Sequence, residues 1–357
     1  MRTLTLLIGI TVLAALLLFG IGCERKVTNE GDKDLSENSC FTCHGDDGKI
    51  LAAQGEWQNS IHASGNNVDY TNRSGYDCGQ CHDHQGFLEY LATGQISPPY
   101  SNVSAIHCFT CHAPHERGNL TLRTEKAYTL IDGSTFNHGA GNLCANCHHS
   151  RLSPTTITDD QQVYDRWGPH HGPQGDLVNG TGGYEFAGYE YSSTDHGVTV
   201  PDACVGCHMG NPRVHDGYKI GGHSFNMVDE ESGSNLSAIC TGCHTEATDF
   251  DYEGIQTDVT AMLEELATLL VDEGVLDGES HLPVGTSSDK YTVADKNVAG
   301  AILNFLMIED DRSEGVHNPK YIKGLLESSI DYLTARRAKI AATEGIAGLE
   351  IMPVSAH

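Results

Sequence analysis

ACVGCHM, residues 203–209, carries two thiols, Cys204 and Cys207, three positions apart, and an imidazole, His208, directly after the second. That spacing lets the two sulfurs reach the two vinyl groups of one haem while the imidazole turns under its iron. Read outward from there, the pattern recurs. Cys40–Cys43–His44, Cys78–Cys81–His82, Cys108–Cys111–His112 and Cys144–Cys147–His148 precede it, and Cys240–Cys243–His244 follows. A bare Cys-x-x-Cys also serves zinc or thiol redox chemistry. Six copies between residues 40 and 244, each closed by His, point instead to six covalently attached c-type haems.

The motifs take 12 of the 13 Cys, so no pair remains for a structural disulfide. The odd one is Cys23. It follows Arg2, an apolar run from Leu4 to Phe19, and small residues at Gly20 and Gly22, the order of a secretory signal. The run is short for a membrane span, and Glu24, Arg25 and Lys26 come at once after it. A Cys at such an exit resembles a bacterial lipoprotein signal, which implies lipidation of Cys23, although Gly20 stands where that pattern usually has Leu. The lipoprotein is the expectation; a soluble secreted form and an uncleaved anchor are the alternatives. All three place the chain outside the cytoplasm, in the periplasm or on the outer membrane or cell surface. The expected division is a signal over 1–22, a polar linker over 23–39, a haem domain over 40–250, a helical region over 251–343 and a tail over 344–357.

With 48 Asp and Glu against 21 Lys and Arg, the net charge is −27, and haem propionates add to it. Nucleic acid and anionic membrane surfaces are therefore excluded as partners, and basic redox proteins are favoured. Aromatics are 7% of the chain while Gly reaches 40 residues, thin material for an ordinary core. Porphyrins supplying the buried apolar surface resolve this, and a haem-free haem domain is then not expected to fold. The expected fold is mainly α with extensive loops. Residues 257–273 put Met262, Leu263, Leu266, Leu269 and Leu270 on one helical face, with Gly274 as a stop. A second helix is predicted over 293–309. A third begins at Asn318-Pro319, an N-cap followed by Pro, and carries Ile322, Leu325, Leu326, Ile330 and Leu333.

Each haem iron takes a second axial ligand unless a site is left open. Of 20 His, six close the motifs and 14 remain. Position singles out His62 in WQNSIHA, His115 three residues beyond His112, His138 and His196 shortly before motifs, His223 in GGHSFNM, and His317 ahead of a helix start. His107, against Cys108, is also placed for it. Met209 follows His208 directly and reads as packing rather than a ligand.

From residue 144 onward the chain resembles the pentahaem, ammonia-forming cytochrome c nitrite reductases and their octahaem hydroxylamine-oxidising relatives. ACVGCHM, GYKIGGHSFN at 217–226, ICTGCH at 239–244, the long helices after 257 and EGVHNP at 314–319 carry the likeness, over roughly half the chain. The resemblance implies a multihaem cytochrome c fold wrapped on stacked haems. It also implies His196 opposite His208, His223 opposite His112 and His317 opposite His244, with the haem on His44 as an addition. One departure bears on function. Those reductases have Cys-x-x-Cys-Lys at the catalytic haem, where this chain has Cys78–Cys81–His82. Their active face uses Arg, Tyr and His, and the counterparts here are Arg166, Tyr164 and His170 or His171. Either that set serves an open reductase haem, or one of the two His, taken as His171, closes the sixth position. Closure is the expectation.

Two functions therefore compete. The first is an electron carrier relaying between extracytoplasmic redox partners through bis-His haems, with self-association into a wire as a variant. The second is a reductase of nitrite or hydroxylamine at one open haem. A structural or adhesive lipoprotein is a weak third, since six covalent haems are costly to mature for that end.

Overall fold

The structure is a computed structural model that describes residues 48–63, 71, 78–100, 103–210, 218–231, 233–234 and 236–343. Cys23, Cys40, Cys43 and His44, with the expected signal, linker and tail, lie outside the described residues. The chain forms two compact units, Met1–Leu51 and Ala52–His357. Of the first, only the opening residues of helix α1 (Gly48–Gln58) are described.

Among the described residues the second unit is mainly helical, with long loops and three two-stranded sheets. Its motif-bearing part is built of short helices: α2 (Gly79–His82), α3 (His84–Thr93), α4 (Cys108–Cys111), α5 (Pro114–Arg117), α6 (Gly141–Ala145), α7 (Gln174–Asn179), α8 (His196–Thr199), α9 (Cys204–His208) and α10 (Leu236–Ile239). Each described motif lies in or beside one helical turn, which holds the two sulfurs and the imidazole on adjacent faces. Close approach of such short pieces demands small residues. The Asp83 carboxylate caps α3 by accepting from Gly86 N at 2.7 Å, and a Cβ on Gly86 would sit 2.5 Å from the Gly79 carbonyl group on α2.

Three long helices close the chain: α11 (Ile255–Asp272), α12 (Lys296–Asp311) and α13 (Pro319–Thr343). Every residue of α12 from Val298 to Ile308 is buried, the mark of a helix enclosed on all sides. It packs against α11 through Leu266, Leu269 and Leu270, and against α13 through Ile322, Leu325, Leu326 and Leu333. Asn318 caps α13 by accepting from Tyr321 N at 3.4 Å, and its amide ties Leu177 O and Ser193 Oγ to the same corner. β1 (Gln161–Val163) pairs antiparallel with β2 (Tyr291–Val293), joining the middle of the chain to these helices. The main apolar core runs from Ile157 to Leu333, whereas the motif-rich part has only a small cluster of Leu130, Phe136, Ala145 and Ala203. Among the described residues no helix is long and apolar enough to cross a membrane.

Candidate haem centres

Five motif histidines are described, and one other His ring faces each of them. His82 faces His170 at 6.2 Å between ring centres, His112 faces His223 at 6.3 Å, and His148 faces His62 at 6.2 Å. His208 faces His317 at 6.1 Å, and His244 faces His196 at 6.0 Å. The residues fit haem. With metal–imidazole bonds of about 2 Å and about 1.1 Å from ring nitrogen to ring centre, two axial imidazoles stand roughly 6 Å apart across an iron. The stacked pair His84 and His107, at 4.3 Å, leaves no such room. A zinc site would instead draw three or four ligands together; no such group of His, Cys, Asp and Glu occurs among the described residues.

The ring environments hold the imidazoles ready to ligate. Burial, with the charge of His148 beside it, lowers His62 to about 4. Burial also pushes His112 and His208 down, favouring the neutral form that binds metal. Several Nδ1 atoms are tied, which leaves Nε2 for the iron. His208 Nδ1 lies 2.9 Å from Phe225 O, His196 Nδ1 3.1 Å from Val316 O, and His148 Nδ1 3.1 Å from Gln174 Oε1. Two have carboxylates instead: His317 Nδ1 is 2.6 Å from Asp311 Oδ1, and His223 Nδ1 is 3.4 Å from Glu56 Oε2. Burial alone would lower His317, but the Asp311 charge and hydrogen bond more than offset it, so its pKa is raised.

Neighbouring centres touch. Gln80 Nε2 donates to Asn146 O at 2.7 Å, and Cys147 Sγ lies 3.6 Å from Gln80 O, so the motif ending at His82 abuts the one ending at His148. The Cys144 and Cys204 sulfurs lie within hydrogen-bond reach, joining that motif to the next. In the mature protein these atoms are thioethers, so proximity rather than S–H donation carries over. Phe225 packs its ring 4.9 Å from His62 and 6.3 Å from His223, while its carbonyl faces His208. Val316 and His317 are consecutive, one facing His196 through its carbonyl and the other facing His208 with its ring.

The arrangement corrects several sequence-based expectations. His196 faces His244 and His317 faces His208, the reverse of the pairing the resemblance implies, because the Val316 carbonyl and the Asp311 carboxylate turn the two rings to opposite centres. The ring toward His82 is His170. His171 points away, with its side chain 74% exposed and its Nδ1 2.8 Å from Asp310, whose hydrogen bond raises its pKa. His170 has a left-handed backbone (φ 63), and two adjacent residues of different backbone conformation project to different sides. His115 packs on Phe109 at 5.8 Å, and His138 on Phe136 at 4.5 Å. Each described motif His already has another ring opposite, so neither is its partner. Arg166 is exposed and Tyr164 lies under Lys290 at 5.2 Å; among the described residues no hydrogen bond or ion pair joins either side chain to His170 or His171. Sequence reading missed Glu56 and Asp311. The only local signal is that Asp311 stands six residues before His317.

A loop-rich helical frame whose described Cys-x-x-Cys-His imidazoles are each faced by a second imidazole defines a multihaem c-type cytochrome, with haems held covalently. Known proteins agree at that level. Residues 185–355 match the family described as cytochrome c552. The chain is similar to the C-type polyheme cytochrome OmcB of Geobacter sulfurreducens, 24% identical over 300 residues covering 72% of this chain and 37% of the relative. It is similar to OmcC of the same organism at 24% identity, covering 72% of this chain and 36% of the relative. It therefore spans little more than a third of these relatives. The solved outer cell wall cytochrome OcwA superposes with a TM-score of 0.51 at 20% identity, over 78% of this chain and 49% of that one, a likeness of fold.

Proposed function

We propose that this chain is a hexahaem electron carrier, passing electrons between extracytoplasmic redox partners through bis-His haems. The observation that carries the reading is the facing of every described motif imidazole by a second one at 6.0–6.3 Å, His82 included. A haem with both axial positions held by protein leaves no position for substrate, and bis-His ligation favours low potentials. When bound, haem supplies one-electron chemistry. The residues of this chain hold it, space it and set its surroundings.

On this reading Cys78, Cys81, Cys108, Cys111, Cys144, Cys147, Cys204, Cys207, Cys240 and Cys243 carry five haems, and Cys40 and Cys43 with His44 carry a sixth. The second ligands are His170, His223, His62, His317 and His196. Contacts between successive motifs support a continuous relay from His82 through His148 to His208, with His112 joining beside Phe225 and His244 beside Val316. The haem domain is residues 40–250, and 251–343 form a helical cover. The signal over 1–22 exports the chain, a lipid on Cys23 tethers it at the periplasmic or outer surface, and its net charge of −27 favours basic partners. The likeness to nitrite reductases is then one of frame rather than of activity.

The test is stopped-flow reoxidation of the fully reduced holoprotein. A small oxidised cytochrome of basic surface is expected to draw electrons rapidly, while nitrite and hydroxylamine leave the protein reduced. Rapid reoxidation by either nitrogen compound would restore the reductase reading.

A further inference from the structure

Among the described histidines that face one another across a candidate haem centre, carboxylates hold two ring nitrogens, and both carboxylates are buried at a cost that packing alone does not explain. Asp311 ends α12 and is 4% exposed. The carbonyl end of a helix already makes that position negative, so a buried anion there is unfavourable unless it is bonded. Its Oδ1 accepts from His317 Nδ1 at 2.6 Å and its Oδ2 from the Ser313 hydroxyl, while Ser313 Oγ accepts from His317 N at 3.2 Å. The three residues form one closed corner that fixes the His317 ring. Glu56, on α1, is also 4% exposed. Its Oε2 accepts from His223 N at 2.9 Å and faces His223 Nδ1 at 3.4 Å. Gly222, at φ 53, is where a Cβ would collide with that carboxylate. By contrast, His208, His196 and His148 meet neutral acceptors.

We propose that Asp311 and Glu56 are positioning residues that lower the potentials of two particular haems, those held between His208 and His317 and between His112 and His223. The inference rests on the bis-His reading above. A carboxylate accepting from Nδ1–H gives the imidazole anionic character and makes Nε2 a stronger donor, which favours ferric over ferrous iron. A carbonyl acceptor does this more weakly. Val316 and His317 set the two cases side by side: one offers a neutral carbonyl to the ligand of the His244 haem, the next brings a carboxylate-bound ring to the His208 haem. The shorter contact makes Asp311 the stronger of the two, so the haem on His208 lies lowest and its neighbour on His244 above it. The relay is thus a series of unequal steps.

EPR-monitored redox titration of the full-length holoprotein tests this, with the parent, Asp311→Asn and Glu56→Gln compared. In Asp311→Asn one low-spin component becomes easier to reduce by about tenfold in its equilibrium constant, about 59 mV for one electron. In Glu56→Gln a different component moves the same way by less. Midpoints all within threefold of the parent in both variants, with haem content intact, would overturn the inference. If Asp311→Asn fails to mature, Glu56→Gln alone decides, and no shift in it overturns the assignment. High-spin iron at these centres in the parent would sink the bis-His reading and this inference with it.

Discussion

On the proposed reading, His170 is the residue that closes the haem on His82. Its ring faces His82 at 6.2 Å, while His171 beside it faces solvent and Asp310. His170→Ala should convert the haem on His82, and only that one, to a high-spin form that binds cyanide, read as a new charge-transfer band and a high-spin EPR signal. His171→Ala should leave the spectrum as it was. If the two substitutions behave alike, or if His171→Ala opens the haem, the assignment is wrong. The motif chemistry was fully legible in the sequence, since thiol spacing and the adjacent imidazole are local properties. Which ring faces each motif His was legible only in part: His223 does face His112, but the choice between His170 and His171 is made by backbone direction. Two consecutive histidines look equivalent in a sequence, and only the left-handed φ of His170 separates them. The partners of His196 and His317 could not be read either, as they depend on which acceptor, Val316 O or Asp311, captures each Nδ1.

At the scale of elements, α12 determines whether the C-terminal helices hold together. Asn304 lies fully buried in it, accepting from Tyr184 N at 2.7 Å and donating to Tyr184 O at 2.9 Å and Ser329 Oγ at 3.0 Å. Asn304→Ala strands those groups without water and should destabilise the folded protein by about 1–3 kcal/mol. Leu303→Ala in the same helix leaves a cavity and should cost roughly 2–5 kcal/mol. Denaturant unfolding followed by far-UV circular dichroism measures both, with haem spectra of the native states unchanged. A loss below about 0.5 kcal/mol in each would show that this core is not what holds α11, α12 and α13 together. These helices were legible because periodicity and capping are local. The sequence places them at 257–273, at 293–309 and from Asn318-Pro319, and they are observed at Ile255–Asp272, Lys296–Asp311 and Pro319–Thr343. The short pieces around the motifs carry too few residues for any period to emerge, and their ends are set by tertiary contacts such as Gly86 on Gly79.

For the molecule as a whole, apolar burial is divided unequally. The large core draws on residues 157–186 and 259–333, and the motif-bearing stretches at 78–148 and 204–244 have little of their own. Protein made without haem maturation should therefore lose amide protection across residues 52–150 in hydrogen-exchange mass spectrometry while α11, α12 and α13 keep some. Equal protection in both regions of the haem-free protein would contradict a haem-filled core. The claim on which function turns is that no iron is open, and low-temperature EPR of the oxidised holoprotein, with an optical check for the high-spin band, tests it most directly. Low-spin iron throughout, unmoved by nitrite or cyanide, is the expected result. High-spin iron amounting to about one haem, shifting on addition of either ligand, would contradict it and make the haem on His82 an active site.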